Sequence, residues 1–359
     1  MIPRRLTSPQ RQASKMRLLP CLSVALATLI SLTGAASQDL PIAACATTPD
    51  LGALLTEIGG SDVTVTVFTR GPEDPHYLEA RPSMVKALHE ADLFVLIGLD
   101  LEQGWAPALW TSARNPRVAP GGTGYVDAST AIVPRGVPAT PVDRSLGDVH
   151  ALGSPHYLLD PLNGLAVADL LRQRLTALKP SHAAQFQERF TAFRTRLAVA
   201  LVGREIADRY PIEKLGQLAD RGKLEEFLRS RDELGRLGGW LQRVARFRGT
   251  GVVADHDLWS YFGARFGISV LGYLEPKPGI APTTRHLEQL VRTMKERQVK
   301  VILAAPYFNP RHARVVAESS GAKIALMVHQ VGAASDASQY LDMIEHNVAA
   351  VCTALAEAP

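Results

Sequence analysis

Four of the ten histidines stand where chemistry could gather them. His76 closes Gly71-Pro-Glu-Asp-Pro-His76, just after Val63 to Phe68, an alternating run that predicts a strand. His156 lies in Gly153-Ser-Pro-His156-Tyr-Leu-Leu-Asp160-Pro161, directly before a long helical run. His256 follows the short apolar segment Gly251 to Ala254, and His329 follows Ala325 to Val328. All four sit at strand ends or on loops, and none holds a clear apolar core position. Imidazole is the commonest protein ligand for a borderline metal such as zinc, and a closed site takes about four donors in a tetrahedron at roughly 2.0–2.1 Å. Two donors from each half of the chain would place the ion between the halves. Four protein donors leave no position open for water, so the pattern predicts capture and release rather than catalysis. One such histidine is more often an ordinary hydrogen-bonded residue; the weight rests on four equivalent placements.

Other residues near these positions have assignable roles. His150 stands six residues before His156 and reaches the same region from a loop, either as an auxiliary ligand or as a solvated residue. Asp255 and Asp257 flank His256 and are expected to orient its ring from behind. Asp160 and Pro161 are the cap and first residue of a helix. Trp259, Tyr261 and Phe262 have the spacing of a packing face. His89, His182, His286, His312 and His346 fall on helices or at their ends and are expected at the surface. An exported zinc hydrolase is the competing class, and it needs an open coordination position beside a placed base. The chain has no His-Glu-x-x-His helix and no Gly-x-Ser-x-Gly elbow, and Glu73 near His76 is the best base available.

The elements that must hold these residues alternate. Strands are expected at Leu40 to Cys45, Val63 to Phe68 and Leu93 to Ile97, with helices at Asp50 to Ile58 and Ser83 to Glu90 between them. The pattern returns from Gly251 onward: strands at 251–254, 269–274, 301–304 and 325–328, and helices at 258–266, 286–297, 310–319 and 339–355. Such alternation predicts an α/β fold of two lobes with mostly parallel sheets. Residues 115–148, rich in Gly, Pro, Thr and Arg, are expected to be irregular. Between the halves runs a stretch of helix formers, 160–207, expected to act as a long rigid spine helix, kinked or broken at Lys179 by Pro180. A charged helical segment, 208–246, follows it. The expected organisation is therefore an export signal over 1–37, an N-terminal lobe over 38–159, the spine, the charged segment, and a C-terminal lobe over 247–359.

With 359 residues, 46% of them hydrophobic, the chain can bury two ordinary cores. Its net charge of +4, from 39 basic and 35 acidic residues, sits partly in the first 17 residues, so the mature chain is expected to be nearly neutral and no nucleic-acid footprint is indicated. Arg4, Arg5, Arg11, Lys15 and Arg17 precede an apolar run from Leu18 to Leu32 and the small residues Gly34 to Ser37, the form of an export signal. No cysteine stands where a lipoprotein signal needs one, so a soluble periplasmic monomer is expected. Cys45 and Cys352 would remain in the mature chain, as small buried residues or as a disulfide.

Several of these segments resemble the metal-binding subunits of zinc and manganese ABC importers, the ZnuA/TroA-like group, over nearly all of Leu40 to Leu355. Asp74-Pro-His76 followed by Arg81-Pro-Ser is similar to that family's first ligand motif. Ser154-Pro-His156-Tyr-Leu-Leu-Asp160-Pro161 is similar to the second, with Ser where Asn is usual, and His256-Asp-Leu-Trp-Ser-Tyr-Phe to the third. Glu275-Pro-Lys-Pro-Gly279-Ile-Ala-Pro282 and Tyr340-Leu-Asp-Met-Ile-Glu-His-Asn347 resemble structural segments of the family. The resemblance implies that His76, His156 and His256 are ligands in an inter-lobe cleft, and that the partners are a metal ion and an ABC transporter permease in the inner membrane. It implies no enzymatic activity. Relatives often use an acidic fourth ligand, whereas the matching position here carries His329, with Asp336 or water as the alternative. Four histidines imply Zn2+, with Mn2+ and a metal-dependent adhesin of the same fold as alternatives. The long histidine-rich loop of many zinc relatives is missing here.

Overall fold

The computed structural model describes residues 40–138, 150–276 and 280–358. The expected export signal, residues 1–37, lies outside them. The first lobe opens with β1 (Ile42–Ala46), α1 (Pro49–Gly59) and β2 (Val63–Val67), followed by α2 (Pro82–Glu90), β3 (Leu93–Leu96), α3 (Ala106–Ala113) and β4 (Tyr125–Asp127). Helices α4 (Pro161–Leu178), α5 (Ala183–Val202), α6 (Arg204–Ala207), α7 (Ile212–Asp220), α8 (Leu224–Arg229) and α9 (Gly239–Ala245) come next. The second lobe comprises β5 (Gly251–Ala254), α10 (Ser260–Phe266), β6 (Ser269–Tyr273), α11 (Thr284–Glu296), β7 (Val301–Ala304), α12 (Pro310–Ser320), β8 (Lys323–Leu326) and α13 (Tyr340–Glu357).

The two sheets have one topology. Their strand orders are β2-β1-β3-β4 and β6-β5-β7-β8, and every pairing is parallel. Covered on both faces, the central strands need no polar alternation, and β3 and β7 are buried at every position. In each sheet the order reverses beside the first strand, between β1 and β3 and between β5 and β7. Sheets of this kind bind ligands in the crevice outside the carboxyl ends of the strands at that reversal.

The expected break at Lys179 and two departures from the sequence pattern have local causes. The run 160–207 divides at Lys179, because the residue before a proline is pushed out of the helical region; Lys179 has φ −137° and ψ 73°. Helix α5 then folds back along α4, placing the Arg172 guanidinium 5.6 Å from the Phe190 ring. Strand β4 forms inside the segment expected to be irregular, pairing Val126 with Val95 in three residues too short to show a period. Strand β8 begins and ends two residues earlier than expected. Its extension is taken over at Val328, whose N–H and carbonyl both bond to the side-chain amide of Asn347, at 2.7 and 2.8 Å.

The main core is continuous across both lobes, uniting Leu51, Leu55 and Val95 of the first with Val252, Leu303 and Met343 of the second. Two smaller clusters cover the outer faces of the sheets. Trp259, Tyr261 and Phe262 are buried packing residues. Cys45 and Cys352 are free thiols.

Candidate metal centre

The histidines converge at the carboxyl ends of the strands, and the loop after β2 delivers the first. Phe68 N–H continues the ladder to the Ala46 carbonyl at 2.9 Å. The buried Trp105 then donates its indole N–H to the Pro75 carbonyl at 3.0 Å, which fixes the backbone beside His76. His76 Nδ1 donates to Asp74 Oδ1 at 2.6 Å. Burial alone would raise the Asp74 carboxyl, but the hydrogen bond and charge of His76 outweigh it and hold Asp74 below its ordinary range. With Nδ1 carrying the proton, Nε2 of His76 offers a lone pair.

His156 stands in a wall braced by both lobes. Tyr157 Oη donates to the Ile97 carbonyl of the first lobe at 2.7 Å. From the second lobe, Tyr261 Oη donates to the Ser154 carbonyl at 3.2 Å and Tyr340 Oη to the Leu158 carbonyl at 2.7 Å. Asp160 caps α4 through Leu162 N–H, and both its oxygens accept from the Arg265 guanidinium at 2.8 Å. Burial first, and then the neighbouring imidazoles, push His156 well below the ordinary imidazole value, so its ring is neutral and able to bind.

The second lobe presents His256 at the end of β5. Its Nδ1 donates to Glu275 Oε2 at 2.9 Å, again leaving Nε2 for a ligand. The sequence pattern pointed to Asp255 and Asp257 for this task, and the structure corrects it. Asp255 turns into the sheet, accepting from the backbone N–H groups of His256 and Ala305 and from the Trp259 indole. Asp257 accepts from Tyr273 Oη at 2.9 Å. Glu275, expected to be structural, is the residue that sequence reasoning missed; its signal was a place at the carboxyl end of β6.

One nitrogen each from His76, His150 and His156 lie within 4.8 Å of one another. His150 belongs to the group, with Nε2 at 3.1 Å from His76 Nε2 and the two rings stacked at 5.1 Å. Because His76 Nε2 lacks a proton, His150 Nε2 is the donor in that contact, and a cation between them would take the proton's place. The ring of His256 lies 6.4 Å from that of His156, beside the three.

His329 is not brought into the trio. Its Nε2 donates to the Glu73 carbonyl at 3.1 Å, its ring packs against Tyr307 at 4.3 Å, and burial pushes it down to about 4. Asp336, the alternative fourth donor, has its carboxylate engaged by His346 Nδ1 at 2.9 Å. The Glu73 carboxylate accepts from Arg70 N–H at 2.8 Å and is not poised as a base. His89, His182 and His286 bond the Ala113 carbonyl, Asp62 and the Tyr273 carbonyl, away from the group.

A family model described as the periplasmic zinc-uptake complex component A matches residues 45–202 and 225–354. The manganese-binding lipoprotein MntA of Halalkalibacterium halodurans is 26% identical over 301 residues, 83% of this chain and 83% of that protein. The high-affinity zinc uptake system protein ZnuA of Yersinia pestis is 21% identical over 284 residues, 76% of this chain and 78% of that protein. A crystal structure of ZnuA superposes with a TM-score of 0.63 at 22% identity, covering 89% of this chain and 99% of that one, a likeness of fold.

Proposed function

From the premise that the chain belongs to the periplasmic zinc-uptake component family, we propose that it captures Zn2+ between its lobes and delivers it to an importer's permease in the inner membrane. As a metal-binding, solute-binding subunit of an ABC importer it is not an enzyme, and its partners are the metal and the permease–ATPase assembly. The observation that carries the choice of zinc is the convergence of His76, His150 and His156, with His256 beside them, since an all-imidazole shell suits zinc better than carboxylate-seeking manganese. The proposed donors are these four, with His150 in the place that the sequence pattern gave to His329. Asp74 and Glu275 hold two of the rings by Nδ1, fixing the tautomer that binds. On capture the ion takes the position of the His150 Nε2 proton, which moves to Nδ1 of the same ring so that the imidazole stays neutral; on release that proton returns to Nε2.

Delivery then needs a form that the permease can distinguish. The continuous core and the buried Asp160–Arg265 pair support small loop movements rather than wide hinge closure. The described residues contain no helix long and apolar enough to cross a membrane. The charged, apolar and small-residue pattern of 1–37 supports export to the periplasm. Manganese is the second reading, favoured by the likeness to MntA. X-ray absorption at the zinc edge of the loaded protein is expected to show an all-nitrogen shell near roughly 2.0–2.1 Å; a shell rich in oxygen would count against this donor set.

A further inference from the structure

The segment after β8 belongs to the second lobe, yet three successive residues of it, His329 to Val331, bond to the first. The Glu73 carbonyl accepts from His329 Nε2 at 3.1 Å and from Gln330 Nε2 at 3.0 Å. Gln330 Oε1 lies 3.4 Å from Thr69 Oγ1, and Val331 N–H donates to Asp50 Oδ1 at 2.7 Å. Gly71 completes the seat, since a Cβ there would fall 2.3 Å from the Gly332 carbonyl carbon and 2.5 Å from the Val331 oxygen. Glu73 immediately precedes Asp74, whose carboxylate sets the His76 ring.

We propose that His329 and Gln330 form an inter-lobe clasp that positions the His76 loop through the Glu73 carbonyl, and that His329 is not a metal donor. A carbonyl only accepts, so His329 Nε2 carries the proton and the lone pair lies on Nδ1. That Nδ1 is buried and has no hydrogen-bond partner. His329 lines a cavity of about 20 Å³ with Thr48, Asp50, Gln330 and His156, and Thr48 Oγ1 is likewise buried and unpartnered. The space accommodates one water between polar groups. A water there satisfies the His329 lone pair, and His329 lies outside the group that His76, His150 and His156 form, so both residues act by holding backbone.

The test compares His329→Gln, which keeps a donor at the reach of Nε2 but removes the imidazole, with His329→Leu and Gln330→Leu, which remove the donors. Amide exchange over residues 69–76 of the metal-free protein is followed, and Zn2+ is then titrated. The clasp predicts faster exchange in both leucine variants with zinc weakened about 10-fold, and near-parental exchange and affinity in His329→Gln. His329→Gln binding zinc as poorly as His76→Ala would make His329 a donor and overturn the proposal, as would unchanged exchange in both leucine variants. The affinity arm rests on the metal-capture reading. If the parent itself binds no zinc, that reading fails, and the exchange arm alone decides the clasp.

Discussion

At the residue scale, two carboxylates stand behind two imidazoles, Asp74 behind His76 and Glu275 behind His256. Partners of this kind typically contribute 10- to 100-fold in metal affinity. Glu275→Gln is accordingly expected to weaken zinc binding by roughly that factor with the fold intact, whereas Asp257→Asn, whose carboxylate takes Tyr273 Oη, should leave affinity unchanged. Calorimetry on both variants checks this, and equal losses would contradict it. His76, His156 and His256 were legible because each stands at a strand end in a distinctive motif. Glu275 was not, because it reaches His256 from across 19 residues, while the adjacent Asp255 and Asp257 looked better placed. His150 was legible only as a loop histidine near the cleft; its contact with His76 joins positions 74 residues apart, which no periodicity encodes.

At the element scale, the N-terminus of α4 carries the inter-lobe geometry. Arg265 and Asp160 are both buried, and Arg265 also reaches Asp220 at 2.7 Å. Removing one partner of a buried ion pair leaves an uncompensated charge and costs about 3–5 kcal/mol. Arg265→Met is expected to lower stability by that order in denaturant unfolding, while Arg194→Met, from an exposed pair with Glu213, should cost less than about 1 kcal/mol. A negligible effect at Arg265 would remove the pair from this account. The strand–helix alternation made most elements legible, and Pro180 marked the break between α4 and α5. Strand β4 stayed hidden because its three residues have neither length nor period, and it exists through its pairing with β3.

At the scale of the whole molecule, acid should act on both capture and stability. Protonated imidazole does not bind metal, so zinc affinity should fall from about pH 7.5 to about pH 5. In the metal-free protein, burial pushes His329 down to about 4, whereas the unfolded chain takes up that proton near the ordinary value of about 6.5. The stability contributed by the neutral ring is complete above that value and is lost as pH falls toward 4. Asp50, Glu102 and Asp255, each raised by burial to about 7, work in the opposite sense, losing stability as pH rises from about 4 toward 7. Comparing His329→Gln with the parent cancels those carboxylates. The melting temperature of the parent should fall more steeply between pH 6.5 and pH 4 than that of the variant, and parallel curves would contradict the assignment.

The central claim is that imidazoles from both lobes capture zinc. Calorimetric titration of the metal-free protein with Zn2+ and Mn2+, beside His76→Ala, His156→Ala and His256→Ala, tests it most directly. One zinc equivalent is expected, bound more tightly than manganese and weakened in each variant by more than the roughly 10- to 100-fold of an outer partner. Zinc bound no better than manganese, or variants that bind like the parent, would contradict it.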